Sequence, residues 1–239
     1  MPPERLVLIH GFTQTARSWA PITARLPPRY EPWPVDAPGH GEAAGVATDL
    51  RGAADFVVRP SGTATYVGYS MGARIALHAA LAHPDRVRRL VLVSGTAGID
   101  DEGERAARRA ADEALADTVE RDGVAVFLDR WLAQPLFATL APAARDVDDR
   151  RRNTAAGLAS SLRLAGTGSQ APLWPRLAEV DLPVLVVAGA HDAKFVALAR
   201  RLHEGIAGAD LAVVADAGHT VHLEQPDAFT DLLTAWLDR

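Results

Sequence analysis

Apolar residues in this chain fall into short runs, at residues 6–9, 34–36, 64–69, 90–94, 184–188 and 211–214. Most are aliphatic or β-branched with few polar interruptions, the pattern of strands buried on both faces of a parallel sheet. Between them lie stretches of helical character, such as the Ala-rich residues 71–81. The alternation predicts an α/β fold with a mostly parallel central sheet and helices on both faces. The rhythm breaks once. From about residue 98 to 177 no good strand appears, only helical segments at 102–119, 124–132 and 153–164. This reads as a helical lid inserted into a core made of residues 1–97 and 178–239. The insertion is not linker-like and no repeat is present, so residues 1–239 are expected to form one domain.

Composition narrows the function classes. The 239 residues are 48% apolar and 23% charged, with a formal net charge of −5. Neither nucleic acid nor an anionic membrane is favoured as a partner by that balance. Cysteine is absent, which removes disulfide and thiolate chemistry. No apolar run nears the roughly 20 residues of a membrane span. The first run starts too early to leave room for a signal peptide, so a cytoplasmic location is expected. No apolar stripe announces an oligomer interface, which suggests a monomer or weak homo-oligomer.

The chemistry begins at Gly68-Tyr69-Ser70-Met71-Gly72, where an apolar run meets a helical one. A serine between two glycines at a strand-to-helix junction reads as a nucleophile elbow, a turn so sharp that only small residues fit beside it. Two further groups follow later runs, Asp192 in Ala190-His191-Asp192 and His219 in Asp216-Ala217-Gly218-His219. Serine is a weak nucleophile and base until a histidine takes its proton, and a carboxylate must hold that imidazole in one tautomer. Ser70, His219 and Asp192 supply this set, with Asp100 as the alternative acid. His10 and His40 are expected to be structural, His78, His83 and His203 to be solvated, and His222 to support the site.

These motifs, in the order serine, acid, histidine, resemble the α/β-hydrolase superfamily over essentially the whole chain. The resemblance implies that the loop His10-Gly11-Phe12 supplies one oxyanion donor, the N–H of Phe12, and Met71 the other. It also implies a sheet lacking one or both of the usual first two strands. Within the superfamily, Tyr69 and Arg74 beside Ser70, the lid residues Arg108, Trp131, Phe137 and Arg150, and Lys194 with Phe195 resemble the 2-succinyl-6-hydroxy-2,4-cyclohexadiene-1-carboxylate synthases of menaquinone biosynthesis, the MenH family. The run from Leu162-Arg163 through Gly166-Thr167-Gly168 and Gln170 to Trp174 is similar to that family's exit from the lid. The resemblance implies a small substrate bearing several carboxylates, elimination of pyruvate, and no metal or organic cofactor. Two other readings stay open at this point. The same triad serves an esterase, thioesterase or lactonase working through an acyl-enzyme on Ser70, and the fold also occurs in proteins that bind ligands without turnover.

Overall fold

A computed structural model describes residues 3–239. Among the described residues six strands form one sheet: β1 (Glu4–Ile9), β2 (Tyr30–Val35), β3 (Ala64–Tyr69), β4 (Val87–Val93), β5 (Val184–Gly189) and β6 (Asp210–Val214). The helices are α1 (Ala20–Thr23), α2 (Leu50–Ser61), α3 (Met71–Ala82), α4 (Glu102–Leu132), α5 (Val147–Arg150), α6 (Ala155–Ala165), α7 (Ala193–Gly205), α8 (Val221–Glu224) and α9 (Pro226–Leu237). The strand order is β2-β1-β3-β4-β5-β6, and every adjacent pair is parallel. The order reverses between β1 and β3, so the loops leaving those two strands diverge and open a crevice at their carboxyl ends.

The near-continuous apolar runs are explained by a two-faced core. Val7 and Ile9, Leu90 and Leu92, and Val184 and Val186 pack on one face, under α2, α3 and α7. Their neighbours Leu6 and Leu8, Val91 and Val93, and Leu185 and Val187 pack on the other, against Trp19, Phe229 and Trp236. Alternate side chains of a strand point to opposite faces, so a strand covered on both sides has few polar positions.

β2 starts at Tyr30, earlier than the run at 34–36 suggests. Pro32 and Pro34 lie opposite Leu6 and Leu8 in the only ladder that β2 makes among the described residues. Residues two apart turn their N–H sides the same way, so both missing donors fall on the free edge, where proline costs no ladder bond and discourages further pairing.

Between β4 and β5 the chain is helical or irregular. α4 changes direction at Gly123, whose φ of 79° and ψ of 165° are non-helical. Ala116, Val119 and Phe127 of α4 pack on Leu158, Ala159 and Leu162 of α6 in a small separate core, against which Phe12 of the loop after β1 and Trp131 also pack. At the surface Arg163 of α6 reaches Glu113, Asp117 and Glu120 of α4 at 2.7–2.9 Å. The expected helical segments are therefore present, with the first two joined through a kink.

Candidate active site

Ser70 stands at the turn between β3 and α3 with φ 53° and ψ −106°, a backbone conformation that few non-glycine residues adopt. Glycine is required on both sides by close backbone approach. A Cβ on Gly68 would be driven into the Gly72 carbonyl, and one on Gly72 into the Ile9 carbonyl of β1. The elbow thereby packs against the first strand, with Ser70 held by an N–H bond to Val93 O at 2.9 Å.

Asp192 follows β5 and caps α7, its Oδ1 accepting the Phe195 N–H at 3.2 Å. Its Oδ2 lies 2.8 Å from His219 Nδ1. A carboxylate only accepts here, so Nδ1 carries the proton and Nε2 is free. That Nε2 is 3.1 Å from Ser70 Oγ, aligned to take the hydroxyl proton. The Phe195 ring lies 4.4 Å from the imidazole, centroid to centroid, and shields it from water. Asp100 is elsewhere, paired with Arg201 at 2.6 Å. The structure thus joins Asp192, and not Asp100, to His219.

The loop after β1 is held by two buried imidazoles. His10 donates from Nδ1 to Gly11 O at 2.8 Å and accepts the Ala37 N–H at 3.0 Å. His40 Nδ1 bonds Pro38 O at 3.1 Å. Burial pushes His10 down to about 4 and His40 to about 3, so both are neutral near pH 7. Among the described residues neither the Phe12 nor the Met71 backbone N–H donates to a protein acceptor.

Ser70 and His219 open onto a cavity of about 290 Å³. Phe12, Met71, Tyr69, Arg74, Arg108, Trp131, Phe137, Arg150, Lys194 and Phe195 all line it. Among the described residues its lining carries Arg74, Arg108, Arg150 and Lys194 against one carboxylate, Asp112. Arg74, on α3 one turn past Ser70, is buried, donates to Ala165 O at 2.8 Å, and is brought down to about 10 by burial and then by the Arg108 charge. Arg150 is 2% exposed, donates to Arg145 O at 2.7 Å and to Thr13 Oγ1, and is lowered by burial. Among the described residues neither guanidinium has a carboxylate within ion-pair distance. Arg108 does, bonding Asp112 Oδ1 at 2.8 Å. Trp131 Nε1 and Gln14 Nε2, from two residues of the lining, are also buried donors without a partner.

A model of the alpha/beta hydrolase family matches residues 6–232. A Serratia proteamaculans protein named 2-succinyl-6-hydroxy-2,4-cyclohexadiene-1-carboxylate synthase is 34% identical over 97% of this chain and 92% of its own. A Bacillus subtilis protein given the same name provisionally is 37% identical over 98% of this chain and 90% of its own. The chain belongs to the MenH group of the alpha/beta hydrolase family. The solved structure of MenH from S. aureus superposes with a TM-score of 0.93 at 29% identity, covering 100% of this chain and 94% of that one.

Set against the MenH resemblance, several residues fall outside the cavity. Arg105 bonds the backbone of Ile99 and Asp100, and Arg163 serves the surface cluster on α4. Trp174 donates to Gly98 O at 3.0 Å and carries Arg201 on its ring. His222 is buried between Trp19 and Tyr69, a support for Tyr69. His83 pairs with Asp55, and His203 is exposed. His78 corrects the expectation of solvation. It lies on α3, half-buried, and is pushed down to about 4, by burial and then by the Arg74 charge one turn away.

Other residues of the lining carry no signal that the sequence analysis used, Gln14, Asp112 and Ser94 among them. Gln14 is two positions beyond Phe12 and accepts the Gly11 N–H at 3.0 Å. Asp112 follows Arg108 by four, a helical spacing that does signal a pair, and it is 1% exposed. Ser94, past the end of β4, bonds the His219 carbonyl at 2.7 Å. Among the described residues no group of three or more His, Cys, Asp or Glu is placed to hold a metal, and no helix is long and apolar enough to cross a membrane.

Proposed function

We propose that this protein is a carbon–oxygen lyase that eliminates pyruvate from 2-succinyl-5-enolpyruvyl-6-hydroxy-3-cyclohexene-1-carboxylate, giving 2-succinyl-6-hydroxy-2,4-cyclohexadiene-1-carboxylate. The observation that carries this reading is the pair of buried guanidiniums, Arg74 and Arg150, that share the Ser70 cavity and lack a carboxylate partner. A buried charge without an ion-pair partner is costly, so such a pair is best explained by a ligand that brings the carboxylates. A neutral ester calls for a mainly apolar pocket. The names of the relatives point the same way.

In this scheme His219, oriented by Asp192, takes the Ser70 hydroxyl proton as Ser70 Oγ removes the proton beside the succinyl carbonyl. The N–H groups of Phe12 and Met71 hold the oxyanion that forms on that carbonyl. Electrons of the broken C–H bond pass through the ring double bond, and the carbon–oxygen bond to the enolpyruvyl group breaks. The departing group takes up a proton and becomes pyruvate. Arg74, Arg108, Arg150 and Lys194 bind carboxylates, while Tyr69, Trp131, Phe137 and Phe195 shape the walls. Residues 98–177 act as the lid that excludes water. No metal or cofactor enters, and the enzyme works in the cytoplasm as a monomer or weak homo-oligomer.

The test is pyruvate release from the enolpyruvyl substrate by wild type and by Ser70→Ala. Ser70-dependent release at a kcat/KM of about 10⁴ M⁻¹ s⁻¹ or more is expected. Release no faster than the spontaneous rate overturns the assignment, and a burst of acyl-enzyme with an activated ester then identifies a serine hydrolase.

A further inference from the structure

Thr13, directly after Phe12, is fully buried and has a φ of 69°. A β-branched residue in the left-handed region is a true outlier, and such a conformation persists only where its surroundings over-determine it. Every polar group of Thr13 is engaged. Its N–H donates to His40 Nε2 at 3.2 Å. Its carbonyl accepts from Asn153 Nδ2 at 2.7 Å, and its hydroxyl accepts from Arg150 Nη1. Two of these three partners come from the helical insertion.

Asn153 is the centre of the contact. It is 4% exposed, and the same Nδ2 also donates to the Arg150 carbonyl at 2.9 Å while Oδ1 accepts the Gly41 N–H at 2.9 Å. Alongside, the Thr15 hydroxyl donates to the buried Asp149 carboxylate, 2.7 Å from Oδ2. A five-residue segment, 149–153, thus grips residues 13–15 through three side chains. One of those side chains, Arg150, is also a wall of the substrate cavity.

We propose that Asn153 and Thr13 are positioning residues, through which the insertion holds the oxyanion loop in its strained form and ties the Arg150 guanidinium to it. This rests on the assignment of the Phe12 N–H as an oxyanion donor. The consequence is coupling: a carboxylate drawn to Arg150 steadies the segment that sets the adjacent Phe12 amide, so binding at the guanidinium organises the oxyanion donor beside it.

The experiment compares Asn153→Ala, Thr13→Val and the surface control Arg151→Ala, whose side chain reaches only the exposed Asp148 among the described residues, in steady-state pyruvate release, with amide hydrogen exchange of residues 10–16. Asn153→Ala removes the grip on the Thr13 carbonyl, and a displaced oxyanion donor is expected to lower kcat about 10²-fold with KM changed less than about threefold. Thr13→Val keeps the shape but removes the acceptor for Arg150, so KM is expected to rise about tenfold with a smaller effect on kcat. Exchange in residues 10–16 is expected to quicken at least tenfold in Asn153→Ala and to stay unchanged in Arg151→Ala. Unchanged kcat and unchanged exchange in Asn153→Ala overturn the proposal. So does equal loss in the Arg151 control. If wild type releases no pyruvate, the lyase reading fails by itself, and the exchange comparison still decides whether Asn153 holds the loop.

Discussion

Arg74 offers a test in which stability and activity move in opposite directions. In the substrate-free protein its guanidinium is buried without a carboxylate partner, and burial lowers it from 12.5 to about 10. At about 1.4 kcal/mol per pH unit, holding it charged costs the fold about 3 kcal/mol. Arg74→Met keeps an unbranched side chain of similar length and removes the charge. It also strips the Ala165 carbonyl of its donor, which costs about 1–3 kcal/mol. The net expectation is a variant more stable by about 1 kcal/mol, a Tm rise of roughly 2–4 °C for a chain of this size. The folded pKa lies below the unfolded one, so the charge penalises the fold at every pH below about 10. The variant's advantage therefore holds from pH 6 to 9 and shrinks as pH rises through 10. Loss of a charge-assisted bond to a substrate carboxylate, worth about 1.5–3 kcal/mol, lowers kcat/KM by about 10–150-fold. Urea unfolding and pyruvate release read the two effects. A variant at least 2 kcal/mol less stable than wild type, with kcat/KM intact, refutes the reasoning and makes Arg74 a structural residue.

Asp192→Asn is expected to lower kcat by about 10⁴-fold because His219 loses its tautomer, whereas Asp100→Asn, at the Arg201 surface pair, leaves kcat within about threefold. Gly72→Ala forces a Cβ into the Ile9 carbonyl, and is expected to cost about 3 kcal/mol or more, a Tm loss of roughly 6–12 °C in a melt. Acid destabilises the protein through imidazoles held neutral by burial. His10 and His78 at about 4, and His40 and His222 at about 3, all lie below the unfolded value of 6.5. Their contribution is complete above pH 6.5 and is lost as pH falls toward 4, each by up to about 1.4 kcal/mol per pH unit. Urea titrations at pH 7, 6 and 5 check this, and equal midpoints across the three would contradict it.

The sequence by itself determined the features that chain neighbours control. Unbroken apolar runs mark strands covered on both faces, and glycines at 68 and 72 mark a turn too tight for a side chain. The order Ser70, Asp192, His219, each after its own apolar run at 64–69, 184–188 or 211–214, places three groups at one edge of a parallel sheet. Tertiary structure decided what depends on remote packing. Prolines 32 and 34 are tolerated because β2 is an edge strand, and nothing within that segment says so. Arg150, Arg151 and Arg152 are equivalent in the sequence, yet only Arg150 is buried. His78 looks like a solvated helical residue until the elements around α3 cover it. The grip on Thr13 joins residues 140 positions apart. Strand periodicity and turn chemistry arise from backbone geometry within a few residues. Burial of a charge, and the choice of its partner, is set by contacts that exist only once the chain has closed upon itself.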